Sequence, residues 1–469
     1  MTFSTVVIGW AETDITPNRA ISLAGQHHVR IASQARDPLT ATVLLLGSDD
    51  DDSESSCTVL VSCDLLAICD GLRDGVRERM RSLMPGMDPL SIILNATHTH
   101  TAPITQGGIR REDGPDVMPP HEYVALATER ITEAIRTAWT RRAPGCVAYG
   151  LGQAVVGHNR AASSVGGQSH MYGRLDDPAF RHMEGPADPS LHVLLTYDAE
   201  SRLTGMVLNL ACPSQVTENL NEVSADFWHE TRQELRRRFG EPLPILAQAG
   251  AAGDQVPRPQ DPRAEDRMLR LAQWDRRQEI AMRIADAVEK LKPLAEKELN
   301  PSPVLKRHSE ILELPRRRIS QQDAEKAGAA ALKFREEYEA LQNAGADPHE
   351  TSKSRAFWRR QESIVERYKM QQEQSFLPTE FHVVRLGDVV FATNPFELYL
   401  DYGIRIQARS MAIQTILVQH NGWHGYLATE RAVVGGAYGT NYDDGLIGPE
   451  GAEVFVDWTV KTINELFIQ

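Results

Sequence analysis

The sequence predicts an α/β fold, with a mixed β-sheet core and helices on the faces of the sheet. Short apolar runs alternate with longer segments of helical spacing through residues 1–260, as in a sheet covered by helices. The apolar runs at 41–46, 58–62 and 92–94 are typical of buried strands. Helices are predicted over residues 70–84, 121–142 and 226–239.

The other elements follow from the same patterns. The segment Met1–Ile8 predicts the first strand and not a signal peptide, because it lacks a basic start and a long apolar stretch. Further strands are predicted at 192–197, 205–210, 380–386 and 389–393, with a hairpin turn at 386–388 and a closing helix over 455–467.

The domain organisation predicted is a single domain over 1–469 with a long helical insertion over 262–375. Apolar residues recur at helical spacing through 262–298. The segment 320–375 is rich in Ala, Glu, Lys, Arg and Gln, with a Gly-Ala-Asp-Pro break at 345–348. We expect a helical hairpin there that projects from the core, its charged face exposed to solvent.

Composition limits the classes of partner. The 469 residues are 41% hydrophobic and carry a net charge of −14, which argues against nucleic acid and anionic membrane surfaces. No segment approaches the roughly 18 apolar residues of a membrane span. Five cysteines without a CxxC motif predict free thiols and a cytoplasmic protein. A small molecule is the expected partner, and the sequence leaves the oligomeric state open.

Two histidines follow the predicted strand at 92–94. In an extended backbone, His98 and His100 point to the same side, because side chains alternate along a strand. One imidazole suits a metal ion, and its neighbour suits proton transfer or substrate contact. The alternative is that both are polar loop residues that satisfy backbone groups.

Several separated segments resemble the neutral/alkaline ceramidase family in its catalytic domain, through nearly the whole chain. The resemblance begins at Asp14-Ile15-Thr16-Pro17, continues at Asp37-Pro38-Leu39, and includes the segment 96–101, Ala-Thr-His-Thr-His-Thr. It implies a zinc-dependent amide hydrolase with His98 as a zinc ligand and His100 as a residue that faces the substrate.

Later segments extend the resemblance. Asn159-Arg160 is similar to a family pair whose arginine lines the pocket, and a guanidinium suits an oxyanion. The segments 394–397 and 421–427 resemble those that carry a glutamate and a tyrosine ligand, which implies Glu397 and Tyr426. Tyr438 takes the place of a second active-site tyrosine.

The chain departs from the family at its second histidine ligand. The corresponding segment, 209–215, reads Asn-Leu-Ala-Cys-Pro-Ser-Gln and contains no histidine. Either the Cys212 thiolate or His229 is a candidate replacement. Asp226 is the predicted N-cap of the helix that carries His229.

A second departure concerns a serine. The family's Gly-Asp-Val-Ser-Pro-Asn segment is similar to Gly253-Asp254-Gln255-Val256-Pro257-Arg258, where Val256 takes the place of the serine. A valine side chain cannot relay a proton, so a serine-dependent step is excluded there. Asp254 remains available to orient a neighbouring group.

We therefore expect a Zn²⁺-dependent hydrolase that cleaves a small polar substrate at an amide bond, and we do not expect ceramide hydrolysis. The predicted metal ligands are His98, His229, Glu397 and Tyr426. The predicted catalytic residues are His100, Arg160, Asp254 and Tyr438. Two alternatives stay open: a carbohydrate-active hydrolase or lyase, in which Trp423, Trp228 and Tyr438 stack on a sugar, and a binding protein whose site has lost activity.

Overall fold

The computed structural model describes residues 5–49, 54–106 and 116–468. Its strands are β1 (Val6–Asp14), β2 (Ile21–Ser22), β3 (Ile31–Ala32), β4 (Thr40–Ser48), β5 (Thr58–Cys63), β6 (Ile92–Ala96), β7 (Ala143–Gln153), β8 (His158–Asn159), β9 (Ala161–Ser164), β10 (Ser169–Met171), β11 (Phe180–Met183), β12 (Ser190–Asp198), β13 (Leu203–Leu210), β14 (Ile245–Ala249), β15 (Gln255–Val256), β16 (Leu305–Pro315), β17 (Phe376–Leu386), β18 (Val389–Thr393), β19 (Glu397–Leu398), β20 (Gln414–Val418) and β21 (Tyr426–Leu427). Its helices are α1 (Asp70–Leu83), α2 (Pro120–Arg141), α3 (Phe227–Phe239), α4 (Arg263–Ala272), α5 (Arg276–Ala295), α6 (Gln321–Asn343), α7 (Pro348–Met370), α8 (Leu400–Arg409), α9 (Glu430–Gly435) and α10 (Pro449–Ile468).

Two sheets form the centre of the molecule. The larger has eight strands in the order β14-β13-β12-β7-β1-β4-β5-β6, and the smaller has four in the order β16-β17-β18-β20. Most neighbours are antiparallel, but β5–β6, β13–β14 and β18–β20 run parallel. The edge strand β14 also contacts β4, β5 and β6, so the larger sheet curves. The predicted mixed α/β fold is confirmed.

The two sheets pack face to face. Alternate residues of the larger sheet, such as Leu44 and Leu246, share one apolar cluster with Phe391 and Ile416 of the smaller sheet. Their strand neighbours point to the opposite faces, as period-two alternation requires. Helices cover these outer faces: α1 and α2 on one half of the larger sheet, α3 and α5 on the other, and α8 and α10 on the smaller sheet. The result is four layers, helix–sheet–sheet–helix.

The segment predicted as one helical insertion, 262–375, holds three different structures. Helix α5 buries Ile280 and Ile284 in the core of the larger sheet. Strand β16 pairs along its whole length with β17. Only α6 and α7 form a helical hairpin between these two strands, and residues 305–315 of the predicted helical insertion form a strand.

The hairpin of α6 and α7 does not project into solvent as we expected. The hydroxyl of Ser352 on α7 accepts a hydrogen bond of 3.0 Å from the backbone N–H of Val29. Arg360, on the same helix, forms an ion pair with Asp443, with 2.6 Å between Nε and Oδ2. The hairpin therefore lies against the loops at 22–30 and 436–445.

The predicted bounds of the other helices and strands lie close to the observed ones. Residues 1–4 of the predicted first strand lie outside the described part of the chain. Asp226 caps α3 as predicted, its carboxylate accepting a hydrogen bond of 2.8 Å from the N–H of Phe227. Across the described ranges, no helix is both long enough and apolar enough to cross a membrane.

Candidate active site

The loops that leave β6, β13, β14 and β20 meet at one place. The backbone N–H of His100, after β6, donates to the carbonyl of Ser214, after β13, over 3.3 Å. The N–H of Gln419, after β20, donates to the carbonyl of Ala249, the last residue of β14, over 3.1 Å. Polar side chains carried by these loops therefore lie together, enclosed by the two sheets.

His98 is held in a single orientation. Its Nδ1 lies 2.8 Å from the carbonyl oxygen of Leu66 and donates to it, which leaves Nε2 as the free nitrogen. The ring is buried, and burial lowers the pKa of His98, so the imidazole is neutral near pH 7. A neutral imidazole whose other nitrogen is tied to a carbonyl is the usual state of a histidine that binds a metal ion.

The backbone of this segment is not extended, contrary to our expectation. His98 has a φ of 61°, in the left-handed region that non-glycine residues seldom adopt. The two imidazoles nevertheless meet, with 3.3 Å between the Nε2 atoms of His98 and His100. The prediction that they share a side is right, but a local turn brings them together and strand alternation does not. Strained backbone of this kind is common at functional sites.

Glu397 and Tyr426 lie beside the free nitrogen of His98. The distance between His98 Nε2 and Glu397 Oε2 is 3.6 Å. Glu397 and Tyr426 face each other in the register of β19 and β21, and after burial and Arg160 the Glu397 carboxylate is among the groups that shift the pKa of Tyr426, raising it. Ligand bonds of about 2.0–2.2 Å put neighbouring donor atoms roughly 3–4 Å apart, so one ion can bridge His98 and Glu397.

The donor set for a metal ion depends on the tyrosine. Within residues 5–49, 54–106 and 116–468, no three His, Cys, Asp or Glu side chains are arranged to hold a metal ion. His98 and Glu397 therefore need Tyr426 as a third donor. Burial raises the pKa of Tyr426 well above 10, so its phenol keeps its proton until an ion binds. The nitrogen and oxygen donors suit zinc.

His100 is fixed by three neighbours. Its Nε2 lies 2.7 Å from Nε2 of Gln215, and its Nδ1 lies 3.9 Å from Oε2 of Glu218. A Cβ on Gly25, which has a φ of 93°, would lie 2.5 Å from the ring, so only glycine fits there. The imidazole is thus held between an amide and a carboxylate, beside His98.

Arg160 and Tyr438 complete the group. The guanidinium carbon of Arg160 lies 5.2 Å from the ring centre of Tyr426 and 5.3 Å from that of Tyr438, within the range of cation–π attraction. Its Nη2 donates to the carbonyl of Gly253 over 2.8 Å. Arg160 is buried, and Tyr438 is partly exposed at the rim. Both side chains, each a hydrogen-bond donor, lie against the ring of Tyr426.

Asp254 supports this group from behind. Its carboxylate accepts hydrogen bonds from the side-chain amide of Asn159 (2.8 Å) and the N–H of Leu400 (3.0 Å), and its carbonyl accepts from the N–H of Arg160 (3.0 Å). Burial raises the pKa of Asp254 to about 6. Asp254 joins Arg160, which lies between β8 and β9, to the start of α8, close to Glu397.

Two candidate ligands are not brought into the group. His229 lies half-buried on α3, and no contact joins its ring to His98 or Glu397 in the described part of the chain. Cys212 is fully buried in the core of the larger sheet, and burial raises the pKa of its thiol, which opposes a thiolate. His229 as a ligand therefore stays a prediction that the geometry does not support.

The aromatic residues named for sugar stacking are not assembled either. Trp228 is completely buried in the apolar core beneath α3 and cannot contact a ligand. Trp423 is 42% exposed.

Val256, which takes the place of the family's serine, is buried in the short pairing of β15 with β8, opposite His158.

His420 was not among the residues predicted from the sequence. Its buried ring stacks on His98, with 4.1 Å between ring centres and 4° between planes. Its Nε2 is buried and has no hydrogen-bond partner within the described residues. A metal ion lies near the plane of the imidazole that binds it, so two parallel stacked rings cannot both bind one ion. The signal was present, since His420 follows a buried strand, as His98 does.

Comparisons with known proteins show which solved structures share this fold. No protein-family model and no curated protein sequence matches the chain. Among solved structures, neutral ceramidase from Pseudomonas aeruginosa matches with a TM-score of 0.69 and 16% identity, over 99% of this chain and 74% of the other. A ceramidase complexed with C2 matches with a TM-score of 0.69 and 15% identity, over 99% and 75%. The chain has the fold of neutral ceramidase, at low sequence identity.

Proposed function

We propose that this protein is a zinc-dependent hydrolase that cleaves an amide bond in a small polar substrate. The observation that carries the proposal is the convergence of His98, Glu397 and Tyr426, with His100, Arg160 and Tyr438 around them, in a ceramidase-like fold. Low identity makes the shared fold alone insufficient, so the side chains carry the argument.

His98, Glu397 and Tyr426 would hold the ion, through Nε2, the carboxylate and the phenol. Zinc bound there supplies a Lewis acid and lowers the pKa of a coordinated water towards neutrality. The Leu66 carbonyl keeps the tautomer of His98 that this task needs.

The surrounding residues bind and move protons. His100, beside His98 and held by Gln215 and Glu218, is placed to give a proton to the leaving nitrogen of the amide. Arg160 and Tyr438 are placed to donate hydrogen bonds to the oxyanion that develops on the carbonyl. Asp254 does not reach the reacting atoms and instead positions the Arg160 segment.

The compartment that we propose is the cytoplasm. The five cysteines are all free and buried, as a reducing compartment leaves them.

The proposal is tested with a panel of small chromogenic amides beside a matched panel of glycosides. We expect turnover of amides, loss of turnover after treatment with a chelator, and recovery on addition of zinc. The matched control is His308→Ala, a half-exposed histidine of β16, which should behave as wild type. Turnover of glycosides, or amide turnover that a chelator leaves unchanged, would contradict the proposal.

A further inference from the structure

The helical hairpin of α6 and α7 reaches the candidate active site through one residue. Arg360 on α7 contacts two acidic side chains and one imidazole from two other parts of the chain. Its Nε lies 2.6 Å from Oδ2 of Asp443, its Nη2 bonds Oδ1 of Asp444, and its Nη1 lies 3.4 Å from Nε2 of His27. The Asp444 side chain is only 1% exposed, so this ion pair is largely removed from water.

Asp444 is hydrogen-bonded to both segments that carry the tyrosines of the site, β21 with Tyr426 and the loop at 436–445 with Tyr438. Its carboxylate accepts a hydrogen bond of 3.1 Å from the N–H of Gly439, the residue after Tyr438. Its backbone carbonyl accepts one of 2.9 Å from the N–H of Tyr426. The charge on Arg360 therefore holds the residue whose carboxylate bonds the segment of Tyr438 and whose backbone carbonyl bonds Tyr426.

His27 provides a second path from Arg360 to Tyr438. The Nε2 atom of His27 lies 3.5 Å from the Tyr438 hydroxyl, on the same side as Arg360 Nη1. The His27 ring also packs against Phe357 of α7, with 5.6 Å between centres. The imidazole is thus enclosed by the hairpin on one side and by the candidate catalytic tyrosine on the other.

We infer that the α6–α7 hairpin is a part of the active site, and that Arg360 is a positioning residue that sets the Tyr438 hydroxyl through Asp444 and His27. The inference rests on the proposed function for the role of Tyr438, but the contact itself does not depend on the reaction. A guanidinium holds its donors in a rigid planar fork that spans these three partners, whereas an ammonium is a compact point charge on a flexible stem.

The neighbouring residue provides a matched control. Arg359 lies on the same helix, is 39% exposed, and pairs only locally with Glu362. Arg359→Ala removes the same charge from the same helix and leaves the loop at 436–445 in place. Arg360→Lys keeps the charge of Arg360 and removes its fork.

Kinetics give the first test, with an amide that the wild type hydrolyses. We expect Arg360→Ala to lower kcat about 100-fold with little change in KM, since a misplacement of about 1 Å can cost that much. Arg360→Lys should recover only a part, and Arg359→Ala should equal wild type. Tyr438→Phe combined with Arg360→Ala should be no slower than the slower single variant, because both act through one hydroxyl. The inference would be overturned if the losses of the two single variants added as free energies in the double variant. Equal rates for Arg360→Ala and Arg359→Ala would also overturn it.

Hydrogen exchange of the full chain gives the second test and needs no substrate. We expect Arg360→Ala to speed exchange in peptides over 436–446 and 22–30, and Arg359→Ala to leave both unchanged. If no amide is hydrolysed, the proposed function fails, and this measurement decides the inference alone. Unchanged exchange at 436–446 in Arg360→Ala would then overturn it.

Discussion

The floor of the candidate site and its rim are built in different ways. The floor, defined as His98, Glu397 and Tyr426, is buried at the ends of strands or in short strand pairs, where the sheets fix its position. The rim, defined as His27, Tyr438 and Arg360, lies on loops and on the hairpin, and charged contacts between distant segments hold it. Under the proposed function, the floor would hold the metal ion and the rim would contact the substrate.

The largest effect is expected from the floor. His98→Ala should lose the metal ion and activity together, because it removes the nitrogen donor. His100→Ala should keep the ion and lower turnover about 100-fold or more, the usual worth of a proton-transfer residue. Elemental analysis and rate measurements on the same samples check both variants. Equal loss of metal would mean that both imidazoles are ligands, contrary to the account.

A rim variant should separate turnover from metal binding. We expect Tyr438→Phe to keep full metal content and to lower kcat about 100-fold, as the loss of one oxyanion donor does. Metal content is measured beside kcat and KM. A fall in metal content would place Tyr438 in the floor and remove the distinction between the two regions.

The buried carboxylate behind the floor gives a prediction about stability. Asp254 has a folded-state pKa of about 6 against an ordinary value of 3.8, so the folded protein binds the proton more tightly than the unfolded chain. The tighter proton binding adds to the free energy of unfolding, and this addition is fully present below pH 3.8 and is lost as the pH rises through about 6. Relative to Asp254→Asn, wild type should therefore gain about 2 kcal/mol of unfolding free energy between pH 7 and pH 4.5.

Urea unfolding of both proteins at the two pH values measures this difference. A difference that does not change with pH would mean that Asp254 titrates normally and that its site is open to water.

The smallest effect is expected at Val256. Val256→Ser should not create hydrolysis of ceramide, because the side chain is buried in the β8–β15 pair and the ligand set of the floor is unchanged. The measurement is hydrolysis of a short-chain fluorescent ceramide by wild type and variant. Turnover by the variant alone would show that the hydroxyl is what this chain lacks, and turnover by wild type would correct the substrate class.

The sequence was a better guide to the floor than to the rim. His98 directly follows an apolar run, and Glu397 and Tyr426 belong to motifs of a known family, so local patterns were enough. His27 and Arg360 are 333 positions apart, and no local pattern links them. Gln215 was missed because its segment was interpreted only in terms of metal ligands, whereas the Gln215 amide contacts His100.

Two errors in the fold have physical causes. Strand β16 is an edge strand with many exposed polar residues, so it lacks the apolar alternation that marks a strand. Helix α5 has a helical pattern but belongs to the core, since spacing alone does not tell which surface a helix covers.

The measurement that tests the account most directly is anomalous diffraction at the zinc edge from crystals of the purified protein. The account predicts one peak, within about 2.0–2.2 Å of His98 Nε2 and of oxygens of Glu397 and Tyr426. A peak that lies elsewhere, for instance at His229, or crystals of zinc-supplemented protein without any peak, would contradict it.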